Sequence, residues 1–328
     1  MIGFDLQKKR NSILDQIKGM CAVMVIITHS SFFVDSEGYV KGFLLNSSVP
    51  IFLFLSGYLY YKSFQKVDSF ADYRKWIIKK ITHFLIPYTI GVGLEIVVYA
   101  LFSNSKTVGS NYLMLFLLGG IGPGSYYNLI ILQLILFFPI IYMLIDRHDV
   151  KAVYYLFFTN LIYELAQRYF QLDESIYRLL IFRYIFVISM GSFYSCKRYT
   201  KNSIIRLISL VLGLFYVLRI INNDQLFVFS SWAGTSMFAC LLWIPVVEYY
   251  IEKVKYNNKI SELIGLSSYN VFLTQMVYYA FEIEEKLKIN NAILIVVLNI
   301  IICCGSGFVF YLLSNRIDKE ISNQIDKL

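Results

Sequence analysis

Apolar stretches of about 17 to 25 residues, long enough for an α-helix to cross about 30 Å of hydrocarbon, recur along the whole of this 328-residue chain. Ten are counted, at 16–34, 42–61, 84–103, 126–145, 150–167, 177–196, 203–221, 227–251, 263–281 and 292–314. Inside lipid each backbone segment must satisfy its own hydrogen bonds, so the pattern predicts an all-α, polytopic integral membrane helix bundle with about ten transmembrane helices. A content of 57% hydrophobic and 16% charged residues lies outside soluble usage and supports the same class. GGIGPG at 119–124 and the region of Trp232 suit re-entrant or interfacial pieces beside the fourth and eighth spans.

Orientation follows from lysine and arginine, which stay with cytoplasmic loops. With the N-terminus inside, the inner segments hold KKR at 8–10, Lys18, Lys62, Lys66, Arg74, Lys75, Lys79, Lys80, Arg147, Lys151, KRYTK at 197–201, Lys253, Lys255, Lys259, Arg316, Lys319 and Lys327. The outer loops hold only Lys41, Lys106, Arg168, Lys286 and Lys288. Both termini are therefore expected in the cytoplasm. The net charge of +8 follows from this bias and from contact with membrane lipids, and it gives no reason to invoke nucleic acid.

No cleavable signal peptide, polar linker or low-complexity tract divides the chain, so residues 1–328 read as a single membrane-embedded domain with no appended soluble domain. The five cysteines have neither disulfide-framework nor zinc spacing. No metal-ligand cluster, nucleotide-binding glycine loop or Gly-x-Ser-x-Gly elbow is present. The oligomeric state is left open.

The chemistry concentrates in KGMCAVMVIITHS at 18–30, where an apolar run ends close to one of only three histidines, His29, His83 and His148. Lys18 and His29 are eleven residues apart. On a helix that returns to within about 20° of the same face and rises about 16 Å. Asp15 lies one turn below Lys18 near the same stripe. Such groups inside a membrane usually face the bundle interior or a wet cavity. His29 is thus the candidate general base, with a hydrogen-bonded structural histidine as the alternative.

SILDQIKGMCAVMVIITHS (12–30), VPIFLFLSGYLYYKS (49–63), YRKWIIKKITHFLIPY (73–88) and SELIGLSSYNVFLTQM (261–276) together resemble the membrane-bound acyltransferases of type 3. The resemblance spans the chain and is most specific over residues 12–88. It implies an acyl-CoA donor, most often acetyl-CoA, approached from the cytosol, with no permanently bound cofactor and no metal. The implied acceptor is a hydroxyl of a surface polysaccharide or its lipid-linked precursor, and the implied location is the bacterial plasma membrane. On that resemblance Lys18, Lys79, Lys80 and His83 are the candidate phosphate-binding residues for the CoA, with ordinary positive-inside charge as the alternative for the stretch around Lys79 and Lys80. Lys18, Lys80 and His83 stand where relatives usually have arginine, and Gln275 where many have histidine. Lysine still meets phosphate as a point charge, without the bidentate fork.

An acceptor hydroxyl needs a base, and His29 supplies one. Asp15 is too far along the helix to orient its ring, so Glu95, a costly glutamate inside a span, is the candidate orienting partner, with a structural hydrogen-bonding group as the alternative. Asn270 and Gln275 are candidate substrate-binding residues, with helix-to-helix hydrogen bonding as the alternative. Two other functions compete: a secondary transporter or glycan flippase using His29, Glu95 and the buried arginines as a path, or an acyltransferase scaffold without activity.

Overall fold

The computed structural model describes residues 12–30, 45–102, 111–171, 173–196, 203–221, 237–254, 258–281, 283 and 291–326. Among them there is no strand. In chain order the helices are α1 (Ser12–His29), α2 (Ser48–Phe64), α3 (Phe70–Phe102), α4 (Tyr112–Leu117), α5 (Tyr126–His148), α6 (Val150–Phe170) and α7 (Glu174–Leu179). They continue with α8 (Ile185–Ser195), α9 (Ser203–Ile221), α10 (Met237–Lys253), α11 (Lys259–Leu266), α12 (Ser268–Ala280) and α13 (Ala292–Asp326). Short 3-10 turns lie at Leu45–Ser47 and Ile181–Arg183.

α1, α3, α5 and residues Ala292–Ile325 of α13 are each long and apolar enough to cross a bilayer. Their outer faces and that of α9 carry large exposed apolar side chains, among them Leu101 (70% exposed), Ile140 (55%), Leu207 (61%) and Ile293 (77%). Apolar surface of this extent is stable against lipid rather than water. The chain is a membrane protein, and helical as its apolar runs require.

Several predicted spans differ from the helices in their limits. The third span begins not near residue 84 but at Phe70, because Ser69 caps the helix: its Oγ accepts the Asp72 N–H (3.1 Å) and donates to the Asp72 carboxylate (2.6 Å). The basic stretch read as a loop is therefore the opening turns of a 33-residue helix, about 50 Å long, which exceeds the hydrocarbon thickness. The sixth span is interrupted, since Leu180 is extended and Ile181–Arg183 is 3-10 before α8 begins. The ninth is two helices with the junction at Ser267. KKR at 8–10, KRYTK at 197–201, Lys41, Lys106, Lys255, Lys286, Lys288, Lys327 and the Trp232 region lie outside the described residues.

The helices pack in close pairs. α1 lies along α11, α2 along α8, and α12 between α3 and α13. The approach is set by glycine: a Cβ on Gly265 would stand 1.6 Å from the Asp15 carbonyl oxygen, and one on Gly191 1.9 Å from that of Phe54. Lipid gives apolar side chains no drive to leave it, so such backbone proximity is what holds helices together in a bilayer. At one end of the bundle the Trp76 indole donates to Ser63 (3.0 Å), which sets the opening turns of α3 against the close of α2. There too His83 Nδ1 lies 2.8 Å from Asp318, tying α3 to the far turns of α13.

Candidate functional site

Between α1, α2, α3, α5 and α12 lies a chamber of about 880 Å³, in the range of ligand pockets. α1 supplies one wall from Asp15 through Lys18 to His29, as the stripe on its sequence predicts. Lys18 Nζ is 2.7 Å from the carboxylate of Asp15, which is 2% exposed. Lys62, Lys80 and His83 also line the chamber, where α2 ends and α3 begins. Lys80 Nζ lies 4.7 Å from the Tyr60 ring centre and 5.9 Å from that of Trp76. Lys62 donates to the Tyr58 hydroxyl and sits 4.3 Å from the centre of that ring. Among the described lining residues Asp15 is the only carboxylate and it is paired with Lys18, so Lys62 and Lys80 give this end a net positive charge.

Lys79 is not among the described lining residues. It neighbours Lys80 in sequence, and the 100° step per residue turns it to a different face of α3. Lys62 takes a place in the wall that the sequence reading did not give it. Its signal was present in the tyrosine-rich stretch YLYYK at 58–62, where the second span gives way to this lysine.

About 16 Å along α1 from Lys18, the chamber reaches His29 and the glycine turn at 119–124. A Cβ on Gly124 would stand 3.9 Å from His29 Nε2 and 3.0 Å from the Phe272 ring. The Tyr279 ring meets the imidazole edge-on with centres 6.3 Å apart. The turn is fixed from behind. Glu95 Oε1 accepts the N–H groups of Ile121 (3.2 Å) and Gly122, and Asn128 Nδ2 donates to the Gly119 carbonyl (2.8 Å) while its Oδ1 accepts from Tyr269 (3.1 Å).

Glu95 is therefore bonded to the backbone of the turn, the structural alternative to orienting the imidazole. Its carboxylate is fully buried against the backbone of the turn, and it is not among the described lining residues. It holds the turn that faces His29. Gly120 sits at φ 113°, and a Cβ there would stand 2.3 Å from Glu95 Oε2, so only glycine fits. Gly120→Ala and Glu95→Ala are each expected to lower kcat at least about tenfold with little change in the KM for the donor. Glu95→Gln retains an acceptor oxygen and should recover part of the loss. Initial rates over a range of donor concentration check this split.

The two candidate amides separate. Asn270 Nδ2 donates to Ser314 Oγ (3.0 Å), a bond from α12 to α13, and Asn270 is not among the described lining residues. That is the helix-joining contact, the alternative to a contact with substrate. Gln275 lines the chamber, is 1% exposed, and among the described residues has no hydrogen-bond partner on either amide atom. It lies one turn before Tyr279, whose hydroxyl donates to the Ile26 carbonyl near the end of α1 (2.9 Å). A buried amide with nothing to bond is costly, so its place is suited to a ligand that supplies the partner.

A family model described as an acyltransferase domain matches residues 11–314. The chain belongs to the acyltransferase type 3 family. No curated protein and no solved structure matches it. The matched stretch contains every residue of the chamber wall named above. In this membrane acyltransferase the wall holds an imidazole, an amide without a partner among the described residues, a glycine turn facing the imidazole, and ammonium groups at the opposite end. Among the described residues no group of three or more His, Cys, Asp or Glu side chains is placed to hold a metal ion.

Proposed function

We propose that the protein transfers acetyl from cytosolic acetyl-CoA to a hydroxyl of a surface polysaccharide or its lipid-linked precursor. The setting in this reading is a bacterial plasma membrane, crossed by about ten helices with both termini in the cytoplasm. The observation that carries it is the single chamber that joins a lysine-rich end to His29.

The donor's phosphates meet Lys18, Lys62, Lys80 and His83. The pantetheine arm has about the backbone length of four extended residues, about 14 Å, close to the rise from Lys18 to His29. The thioester then lies against the glycine turn. His29, neutral, accepts the proton of the acceptor hydroxyl as its oxygen attacks the thioester carbon. Gln275 Nε2 donates to the carbonyl oxygen, whose negative charge grows as the tetrahedral intermediate forms. Collapse breaks the C–S bond, and the imidazolium returns its proton to the leaving thiolate. The products are the O-acetyl ester and free CoA. Family membership favours this group transfer over transport, and retention of His29 favours an active enzyme over an inert scaffold.

The adjacent lysines of α3 provide the test. Lys80→Ala is expected to raise the KM for acetyl-CoA about tenfold or more, the worth of a charge-assisted contact to phosphate. Lys79→Ala should leave it within about twofold. Saturation kinetics in membranes with matched protein levels decide this, and equal effects of the two substitutions would count against a phosphate site on the chamber wall.

A further inference from the structure

The chamber has a second cationic region, at the end opposite the lysines. Arg178 and Arg183 line it, with Tyr126 beside them and within reach of both guanidinium charges. Tyr126 opens α5 directly after the turn that carries Gly124, so the arginines stand near the depth of His29. Arg183 is fixed. It is 1% exposed, its guanidinium carbon lies 4.6 Å and 5.3 Å from the ring centres of Tyr177 and Tyr184, and buried Glu164, bonded to the Tyr177 hydroxyl, faces it. Arg178 is the half-buried member.

A neutral sugar hydroxyl needs no arginine beside it, yet two guanidinium groups line the wall near the depth of the imidazole. The planar fork of a guanidinium is matched to carboxylate and phosphate. The donor's own phosphates are accounted for by the lysine end, an arm's length away. Lysines thus line one end of the chamber and arginines the other.

We infer that Arg178, braced by Arg183, binds an oxyanion carried by the acceptor, so that the acceptor class is an anionic glycan or glycan conjugate rather than a neutral one. This rests on the proposed reading of the chamber as the site of transfer. The oxyanion is either the carboxylate of an acidic sugar or a phosphate attached to the sugar. Held there, it sets the neighbouring hydroxyl toward His29.

The test uses the full-length protein in lipid nanodiscs and three soluble probes: methyl glucuronide, glucose 1-phosphate and methyl glucoside. Acetyl transfer to each is measured from labelled acetyl-CoA, and equilibrium binding of each is measured by calorimetry with CoA present. The expected result is at least tenfold tighter binding and lower KM for one or both charged probes than for methyl glucoside. Arg178→Gln should abolish that preference and Arg178→Lys restore part of it, with the KM for acetyl-CoA unchanged within twofold. The probe that gains identifies carboxylate or phosphate as the source. Equal binding of charged and neutral probes, or a preference that survives Arg178→Gln, would overturn the inference. So would a loss confined to acetyl-CoA binding, which would assign the arginines to the donor. Anion preference in calorimetry without labelled product would instead uphold the anion site and count against the transfer reading.

Discussion

His29→Ala is expected to lower acyl transfer by about 100- to 10,000-fold, the usual contribution of a positioned general base, at an unchanged level of protein in the membrane. The imidazole lines the chamber and closes α1, so its loss leaves the helix interior intact. Water is a poor substitute, because the acceptor proton must leave within a chamber whose lining is mostly apolar and aromatic. His29→Gln keeps much of the volume and a hydrogen-bonding group but no basic nitrogen, and should be as inactive as the alanine variant. Initial rates together with thermal unfolding of the purified variants separate catalysis from structure. A purely structural His29 would show the reverse pattern, a lower unfolding temperature with unchanged specific activity.

Gly265→Ala and Gly191→Ala are expected to destabilise the fold by about 1 to 3 kcal/mol or more each, the cost of overpacking where nothing can rotate aside. The atoms in the way are backbone carbonyl oxygens, Asp15 O at 1.6 Å and Phe54 O at 1.9 Å from the new Cβ. Relief requires α1 to leave α11, or α2 to leave α8. The first displacement moves the helix that carries both Lys18 and His29, so Gly265→Ala should lose activity as well as stability. Gly93 and Gly305 are the controls. They lie inside α3 and α13 with nothing within 4 Å of a Cβ, and alanine there should be neutral or stabilising by up to about 1 kcal/mol. Unfolding temperatures in one detergent rank the four variants.

The helical membrane class was legible because length and apolarity alone determine it. The Lys18 and His29 stripe was legible because helical periodicity fixes which residues of one helix share a face. What depended on the rotation of one helix against another was not. Lys79 and Lys80 look alike in sequence, and packing of α3 on α2 brings only Lys80 among the described wall residues. Asn270 and Gln275 lie on the same helix, yet one faces Ser314 on α13 and the other the chamber. Glu95 was visible as an expensive buried acid, but its partners are backbone N–H groups some 26 residues onward, which no side-chain pattern announces. Charged opening turns disguised the start of α3 as a loop, because a helix that projects beyond hydrocarbon gives up the apolar signal by which spans are counted.

The most direct test of the central claim is to supply acetyl-CoA, labelled in its acetyl group, to membranes containing the protein and a glycan acceptor, and to follow label into extracted glycan before and after mild alkali. Alkali-labile label with the wild-type chain, absent from His29→Ala membranes at equal protein level, is the predicted result. Label that resists alkali, or equal labelling in wild-type, His29→Ala and empty membranes, would contradict transfer to a hydroxyl through this chamber.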